Sequence, residues 1–299
     1  MSEPGILRQH AQIAACLIEN GQPPSGLPVL GIVLGGMTPG DDRTLWGGEF
    51  LLADFRAYER LGTLKPVALP GGERATRAEP WRSLYAHLMA EMGWARFAMD
   101  FADLPLKTFL AERRSEALAE EISDRTISPL ASSCGRLFDA AAAALGLGRP
   151  EDLEAAVDPA ALDEEETLIY PFAIPRLGGR GLPYIEPLGA WAALLGDLLL
   201  ETPIGTIAAR FHRSFARSLV AMAQKLLPPR VEAGIARPTV VLTGGCFQNR
   251  ILREQTLGPL ERAGFEVLTH SNEARGIAEG EAAIRSFRRS SGFTTRFTS

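Results

Sequence analysis

The last quarter of the chain has the order strand, Gly-Gly turn, helix, strand and helix, and this order constrains the fold more than any other feature. An apolar, β-branched run at 238–243 predicts a buried strand, and Gly244-Gly245 follows it as a turn. Residues 249–263 and 274–287 show helical periodicity on either side of a second strand at 265–268. This alternation is typical of an α/β sheet.

Two apolar runs in the first quarter predict a glycine-rich β-hairpin at 29–53. An extended stretch at 58–69 continues the hairpin into a three-stranded meander. The pattern then becomes mostly helical from residue 81 to residue 226, with one helix expected from 103 to 122, and a further helix is expected at 6–19. An acidic stretch with two prolines, 149–166, is interpreted as a surface connection within the helical part.

Composition excludes several classes of protein. The 299 residues are 46% hydrophobic and 22% charged, as expected for a globular chain with a substantial core. The formal net charge of −5 argues against a protein that binds nucleic acid through phosphate contacts.

Cys16, Cys134 and Cys246 lie far apart, so neither a disulfide framework nor a zinc site built from cysteines is expected. The longest apolar stretch, 189–200, contains Asp197 and is too short to span a bilayer. With no signal peptide recognised at the N-terminus, we expect a cytoplasmic chain without membrane contact.

The strand-to-helix junction at Thr243–Asn249 is the first candidate site. Glycines there allow backbone N–H groups to approach a ligand, and the helix that follows has a partial positive charge at its N-terminus. The junction therefore fits either an anion site or an ordinary tight turn. Cys246 is either a thiol activated by the helix N-terminus or a small buried residue.

Two other segments have alternative interpretations. Asp41, Asp42 and Glu49 in the glycine-rich hairpin fit either a cation site or a solvated acidic turn. An arginine-rich stretch containing Arg77 and Arg82 fits either an anion site or a solvated face. The four histidines form no close pair in sequence, and a lone helical histidine is more typical of a structural hydrogen bond than of a metal ligand.

Several long motifs follow one another in an order that resembles the HypF carbamoyltransferases of nickel-iron hydrogenase maturation. The resemblance extends from about residue 6 to residue 285. The motifs are GIVLGGMTPGDDRTLWGGEFLLADF, LKPVALPGGERATRAEPWR, SSCGRLFDAAAAALGL, YPFAI, IAARFH and VVLTGGCFQNRILRE.

The resemblance implies an α/β architecture similar to acetate kinase and Hsp70, in which two ribonuclease-H-like lobes enclose a nucleotide. By this comparison, residues 1–28 are a helical remnant of a first lobe that is largely missing. Residues 29–288 form the second lobe, with a helical insertion at about 81–226, and residues 289–299 form a flexible tail.

In this family, carbamoyl-adenylate made from carbamoyl phosphate and ATP is bound by the module, and its carbamoyl group passes to the C-terminal cysteine of HypE. The resemblance therefore implies ATP or carbamoyl-adenylate as ligand and a HypE-like protein as partner. It implies that the nucleotide lies against two loops, whose predicted contacts are Thr243, Gly244, Gly245, Asn249, Gly135 and Asp139.

The chain departs from the family pattern at its metal site. The HHHAH segment of the family is replaced by RQHAQ at 8–12, which leaves His10 but puts Arg8 and Gln12 where the outer, ligating histidines are expected. The family's Leu-Asp-Gly reads Leu-Gly-Gly, with Gly35 in place of the carboxylate. Glu273 lies near the family's Asn-Asp-Gly-Gly position, with one residue inserted. His10 and Glu273 are thus weak metal candidates, and we expect no bound metal.

The sequence shows no counterpart of the acylphosphatase-like domain, the CxxC zinc fingers or the adenylate-forming domain of the family. We therefore expect that the chain does not make the adenylate itself. One hypothesis is a carbamoyltransferase module, impaired or dependent on separately encoded HypF domains. The alternative is a non-catalytic paralogue that binds nucleotide or HypE as a scaffold, and a third reading is a gene remnant without function.

Overall fold

One mixed β-sheet organises the chain, with helices on both of its faces. The computed structural model describes residues 6–23, 26–162, 168–176, 178, 181–227, 237–270 and 276–290. The sheet has eight strands in the part of the chain described. They are β1 (Val29–Pro39), β2 (Leu45–Ala53), β3 (Tyr58–Leu64), β4 (Val67–Ala68), β5 (Leu130–Ala131), β6 (Tyr184–Ile185), β7 (Thr239–Thr243) and β8 (Glu266–Thr269).

Twelve α-helices surround the sheet in the same described ranges. They are α1 (Arg8–Glu19), α2 (Gly72–Ala78), α3 (Pro80–Glu91), α4 (Gly93–Asp100), α5 (Pro105–Arg113), α6 (Glu116–Ser123), α7 (Cys134–Ala144), α8 (Pro150–Ala155), α9 (Leu188–Leu199), α10 (Ile204–Leu226), α11 (Arg250–Arg262) and α12 (Gly276–Ser290). None of the helices described is long and apolar enough to cross a membrane.

The sheet joins the hairpin to the C-terminal strands. Its main order is β4-β5-β2-β1-β7-β8, with β3 and β6 attached to β2 through β3. Strand β1 is antiparallel to β2 but parallel to β7, where Val33 lies opposite Thr243. Strands β7 and β8 are also parallel, so β1, β7 and β8 end at the same edge. This confirms the predicted meander and the predicted α/β sheet.

The alternation of side chains in β7 shows how two cores form. Val240 and Leu242 point to a large cluster that includes α7, α10 and α11, whereas Val241 points to a smaller cluster on the opposite face. Because successive residues of a strand face opposite sides, a fully apolar run is what a sheet covered on both faces requires.

Helix α1 belongs structurally to the same unit as the sheet. Its apolar side, which includes Ile13, Ala14 and Leu17, is buried in the smaller cluster, and α1 packs beside α12. The helix assigned to a first-lobe remnant thus shares a core with β1, β2 and β7. The assignment of residues 1–28 to a remnant of a separate first lobe stays a prediction.

The helical part contains features that periodicity missed. The acidic stretch interpreted as a connection contains α8, and its last four residues, 163–166, lie outside the described residues. The helix expected from 103 to 122 is two helices, because Ser115 adopts an extended backbone and its side chain accepts a hydrogen bond from the Leu118 N–H. Such a cap begins a new helix. The tail beyond residue 290 also lies outside the described residues.

Candidate functional site

A cavity of about 420 Å³ opens where β1 and β7 end. Five segments distant in sequence form its walls: residues 35–37 of β1, helix α2, the start of α7, helix α8 and the junction between β7 and α11. The cavity is lined by Gly35, Gly36, Met37, Glu73, Arg77, Ser133, Gly135, Arg136, Phe138, Pro150, Glu151, Glu154, Gly245, Cys246, Gln248 and Asn249.

The junction after β7 is shaped by close backbone contacts. Gly244 has a φ of +103°, and a Cβ on it would lie 2.7 Å from the carbonyl carbon of Leu34. Gly35, with a φ of +117°, approaches the same loop, because a Cβ there would lie 3.1 Å from the Gly245 nitrogen. Only glycine adopts these conformations at such close range without strain. Gly245 differs from both, since a Cβ there would meet nothing within 4 Å.

The structure brings together three of the six predicted nucleotide contacts. Gly245, Asn249 and Gly135 all line the cavity. Helix α7, which starts beside Gly135, begins with a Ser133 cap whose hydroxyl accepts a hydrogen bond from the Arg136 N–H. The other three predicted contacts, Thr243, Gly244 and Asp139, do not line the cavity.

Asp139 reaches the cavity only through Arg136. The Asp139 carboxylate lies 2.8 Å from a terminal nitrogen of Arg136, but the two groups are not aligned as a hydrogen bond. Burial raises the pKa of Asp139 to about 6, against the opposing effect of Arg136. Arg136 Nε and Nη1 are buried and have no hydrogen-bond partner among the described residues. Because Arg136 also lines the cavity, its mostly buried guanidinium is suited to pair with an anionic ligand as well as with Asp139.

Asn249 is fixed in place by two hydrogen bonds. Its Oδ1 accepts from the Leu252 N–H at 2.8 Å and so caps α11, and its Nδ2 lies 2.9 Å from His212 Nε2. His212 is fully buried in α10, and its Nδ1 lies 2.8 Å from the Ala208 carbonyl oxygen. Burial lowers the pKa of His212 to about 4, so its imidazole is neutral near pH 7.

Thr243 is held from behind by a histidine at the end of β8. His270 Nε2 lies 2.9 Å from the Thr243 hydroxyl, and its Nδ1 lies 2.9 Å from a carboxylate oxygen of Glu19 in α1. The Thr243 side chain is 1% exposed. These contacts therefore connect the carboxyl ends of β7 and β8 to α1. None of the three residues lines the cavity.

Cys246 lies beside a second thiol. The Cys134 and Cys246 thiols interact, and burial together with this neighbour raises the pKa of Cys134 well above its usual value. Cys134 is buried and Cys246 is half-buried, and both are free thiols. Of the two interpretations of Cys246, the structure favours a packed thiol on the cavity wall.

The hairpin acids do not form a cation site. Asp42 accepts hydrogen bonds from the Thr44 backbone and from Trp46 Nε1, and it pairs with Arg60. Glu49 is buried and paired with the same Arg60. The carboxylate oxygens of Asp42 and Glu49 already accept hydrogen bonds from protein donors, so they are not available to a cation. For the tip at Asp42 this agrees with the interpretation as a solvated acidic turn. Among the arginines of the 74–82 stretch, Arg77 lines the cavity, whereas Arg82 pairs with glutamates.

The residues at the family's metal positions do not fit a metal ion. Arg8 packs against the end of β1, with its Nε 3.5 Å from where a Cβ on Gly36 would lie. Gln12 offers one buried amide oxygen that has no hydrogen-bond partner in the described part of the chain. His10 points elsewhere, with Nε2 2.6 Å from the Asp54 carbonyl oxygen and its ring against Tyr58. The described residues contain no group of three His, Cys, Asp or Glu side chains suited to a metal. The other candidate, Glu273, lies outside the described residues.

We expect the purified chain to carry no stoichiometric iron or zinc. A tight first-row metal site needs three or four converging ligands, and here a guanidinium occupies the place of one of them and repels a cation. Elemental analysis of protein prepared without chelator should give well below one metal per chain. The double variant Arg8→His, Gln12→His, which restores two ligands, is the comparison, and about one metal per unaltered chain would overturn the expectation.

Two of the residues that shape the cavity were not picked out as site residues from the sequence. Arg136 lies inside the SSCGRLFDA motif and His212 ends the IAARFH motif, so both belong to motifs that carry the family resemblance. Their roles became visible only through burial and hydrogen bonds.

The cavity lies in a region that matches a known family. The sequence profile of "Carbamoyltransferase, Kae1-like Domain, second subdomain" matches residues 31–280. Carbamoyltransferase HypF of Rhodobacter capsulatus is 37% identical over 287 residues, which are 93% of this chain and 35% of that protein. A carbamoyltransferase HypF homolog of Cupriavidus necator is 31% identical over 291 residues, covering 93% of this chain and 68% of the homolog.

The fold agrees with these matches. The crystal structure of full-length HypF in its phosphate- and nucleotide-bound form aligns with a TM-score of 0.77 and 26% identity, over 97% of this chain and 36% of that one. The chain thus spans about a third of the length of the Rhodobacter protein and of the solved HypF structure. Profile, relatives and fold agree that this chain belongs to the HypF carbamoyltransferases, to the part that forms the second subdomain of their Kae1-like domain.

Proposed function

We propose that this chain is a HypF-like carbamoyl-transfer module whose cavity binds an adenine nucleotide, with carbamoyl-adenylate as the ligand that matters for the reaction. The observation that carries this proposal is the buried Arg136 guanidinium. Arg136 lies on the wall of the cavity beside Gly245, its guanidinium pairs with Asp139, and its buried Nε and Nη1 have no hydrogen-bond partner among the described residues. A cation and the backbone N–H groups of a loop are what a phosphate group requires.

The reaction proposed for the module is the one that the family resemblance implies. The thiolate of the C-terminal cysteine of a HypE-like partner attacks the carbamoyl carbon, the carbon–oxygen bond to the phosphate breaks, and AMP leaves. The thiol gives its proton to solvent, and no oxidant or reductant is needed. In this step the residues of the chain would hold the phosphate, with Arg136 offsetting the negative charge of the leaving AMP. A source of the adenylate, such as separately encoded HypF domains, is part of this proposal.

The second candidate is a module that binds nucleotide or HypE but has lost turnover. The placement of Arg8 and Gln12 at the positions of metal ligands favours it, because the metal of the family has no fitting site in the described residues. The two candidates differ in whether the chain transfers the carbamoyl group to the partner or only binds its ligand. We propose that transfer by this chain alone is impaired.

Two measurements separate the candidates. Calorimetry with AMP or ATP tests the cavity, and mass spectrometry of a HypE-like protein incubated with the chain and supplied carbamoyl-adenylate tests transfer. We expect nucleotide binding without a mass gain on the C-terminal cysteine. Carbamoylation by the unaltered chain alone would establish full catalysis, and absence of nucleotide binding would reject the proposed cavity and leave only a scaffold that binds HypE.

Acidification should strengthen nucleotide binding through Asp139. Above pH 6 the ionised Asp139 competes with a phosphate for Arg136, and below pH 6 its protonation frees the guanidinium. If the ligand raises the pKa of Asp139 by about one unit, linkage gives about sixfold tighter binding at pH 5.5 than at pH 7.5. Calorimetry with AMP at both pH values measures the effect.

The control for this measurement is Asp139→Asn, which keeps any titration of the nucleotide itself but removes that of the carboxyl group. The pH effect is the difference between the two proteins. Relative weakening at pH 5.5 would contradict the competition with Arg136. It would indicate instead that the carboxylate accepts a hydrogen bond from the ligand directly.

A further inference from the structure

The hydrogen-bond pattern around Asn249 fixes the chemical state of a buried histidine. A backbone N–H can only donate, so the atom that accepts from Leu252 is the amide oxygen of Asn249. The amide nitrogen must then face His212, and because an amide nitrogen can only donate, His212 Nε2 is the acceptor. The Ala208 carbonyl can only accept, so His212 Nδ1 carries the proton. His212 is therefore a neutral imidazole protonated at Nδ1.

The surroundings of His212 keep the ring in this orientation. The ring is fully buried and packs edge-on against Phe138, with ring centroids 5.3 Å apart, and against Phe211 at 6.1 Å. Rotating the ring by half a turn would put a carbon opposite the Ala208 carbonyl and would leave the buried ring N–H without its acceptor. The acceptor on His212 is thus rigid.

We propose that His212 is a positioning residue of the cavity, which holds the Asn249 amide so that its second N–H donates to an acceptor oxygen of the ligand. The inference rests on the proposed function, since it concerns the same nucleotide. Asn249 lines the cavity, and one of its two Nδ2 hydrogens is used by His212. The other hydrogen has no partner among the described residues. A planar amide with one N–H anchored behind the wall presents the other at a fixed angle, which suits a phosphate or ribose oxygen.

The alternative is that His212 only fills the core between α10, α7 and α11. Substitutions distinguish the two roles, because a glutamine side chain can place an oxygen acceptor near the Nε2 position whereas a leucine side chain cannot. A core role requires volume, and a positioning role requires the acceptor.

The first test is made on the chain without ligand. Nitrogen-15 spectra of the histidine side chains should show His212 protonated at Nδ1 and unprotonated at Nε2 between pH 5.5 and pH 8, and Asn249→Ser should change the Nε2 signal. A proton on Nε2 would overturn the inference.

The second test is AMP binding by calorimetry. We expect about tenfold weaker binding for His212→Leu, and a loss of no more than about threefold for His212→Gln. In the Asn249→Ser background, which keeps a hydroxyl cap for α11, His212→Leu should cause little further loss. Equal losses for leucine and glutamine, or an undiminished effect in the Asn249→Ser background, would show a core role only. If the unaltered chain binds no nucleotide, the proposed function fails and the ligand contact with it, whereas the imidazole spectrum still decides whether His212 holds Asn249.

Discussion

Replacing Gly245 with valine should weaken nucleotide binding strongly while leaving the chain folded. A Cβ on Gly245 would meet no protein atom within 4 Å, and the residue lines the cavity. The valine side chain would therefore take up the space that a ligand needs without disturbing the loop. We expect AMP affinity to fall by about 100-fold, since forcing extra carbon atoms into a filled site costs about 1–3 kcal/mol. Calorimetry measures the affinity, and thermal unfolding verifies the fold.

A matched control is Gly196→Val in α9, where a Cβ would also meet nothing within 4 Å but which does not line the cavity. This variant should bind AMP as the unaltered chain does. Equal binding by the Gly245→Val protein and the unaltered chain would refute the site. Loss of binding in both variants would point to a general effect of valine on the fold.

Replacing Gly244 with alanine should strongly lower the stability of the fold, in contrast to the substitution of Gly245. Gly244 has a φ of +103°, and a Cβ would approach the backbone nitrogen of Leu34 to 2.9 Å and its carbonyl carbon to 2.7 Å. Backbone atoms inside a sheet cannot move aside, so the strain adds to the clash. We expect the free energy of unfolding to fall by about 3 kcal/mol or more, as measured by urea denaturation.

The comparison variant for this measurement is Gly245→Ala, one residue along the same loop. It has no positive φ and no close neighbour, so its stability should change by less than about 1 kcal/mol. Similar losses in the two alanine variants would mean that the loop does not hold Gly244 against Leu34 as the structure describes.

Local patterns predicted most of the elements, because a strand or a helix follows from the spacing of apolar residues within a short window. The strand at Thr239–Thr243 and the hairpin needed no more than that. Helix α8 was missed because it is short and acidic and buries only Leu153. The break at Ser115 was missed because one side-chain cap outweighs an otherwise continuous helical pattern.

The cavity was only partly predictable. That Gly135 and Gly245 face one space does not follow from spacing, because they lie on elements far apart in sequence; the family resemblance implied it, and the structure places both on the cavity wall. The partners Arg136 and His212 depend on burial and on the direction of hydrogen bonds. No pattern of residue types carries that information, since a histidine in an amphipathic helix fits equally well in a core or beside a ligand.

The pairing of β1 with β7 has a consequence for how the chain reaches its fold. Leu30 lies beside Val240, so the two central strands meet only after the whole helical part between them has been made. Contacts between residues so distant in sequence have a high entropic cost and form slowly. During synthesis the hairpin at β1 and β2 is complete long before β7 leaves the ribosome, and the open edge of β1 presents unpaired backbone groups throughout that time. The same adjacency that builds the cavity wall therefore leaves the nascent chain exposed to strand pairing with the wrong partner until its last quarter arrives.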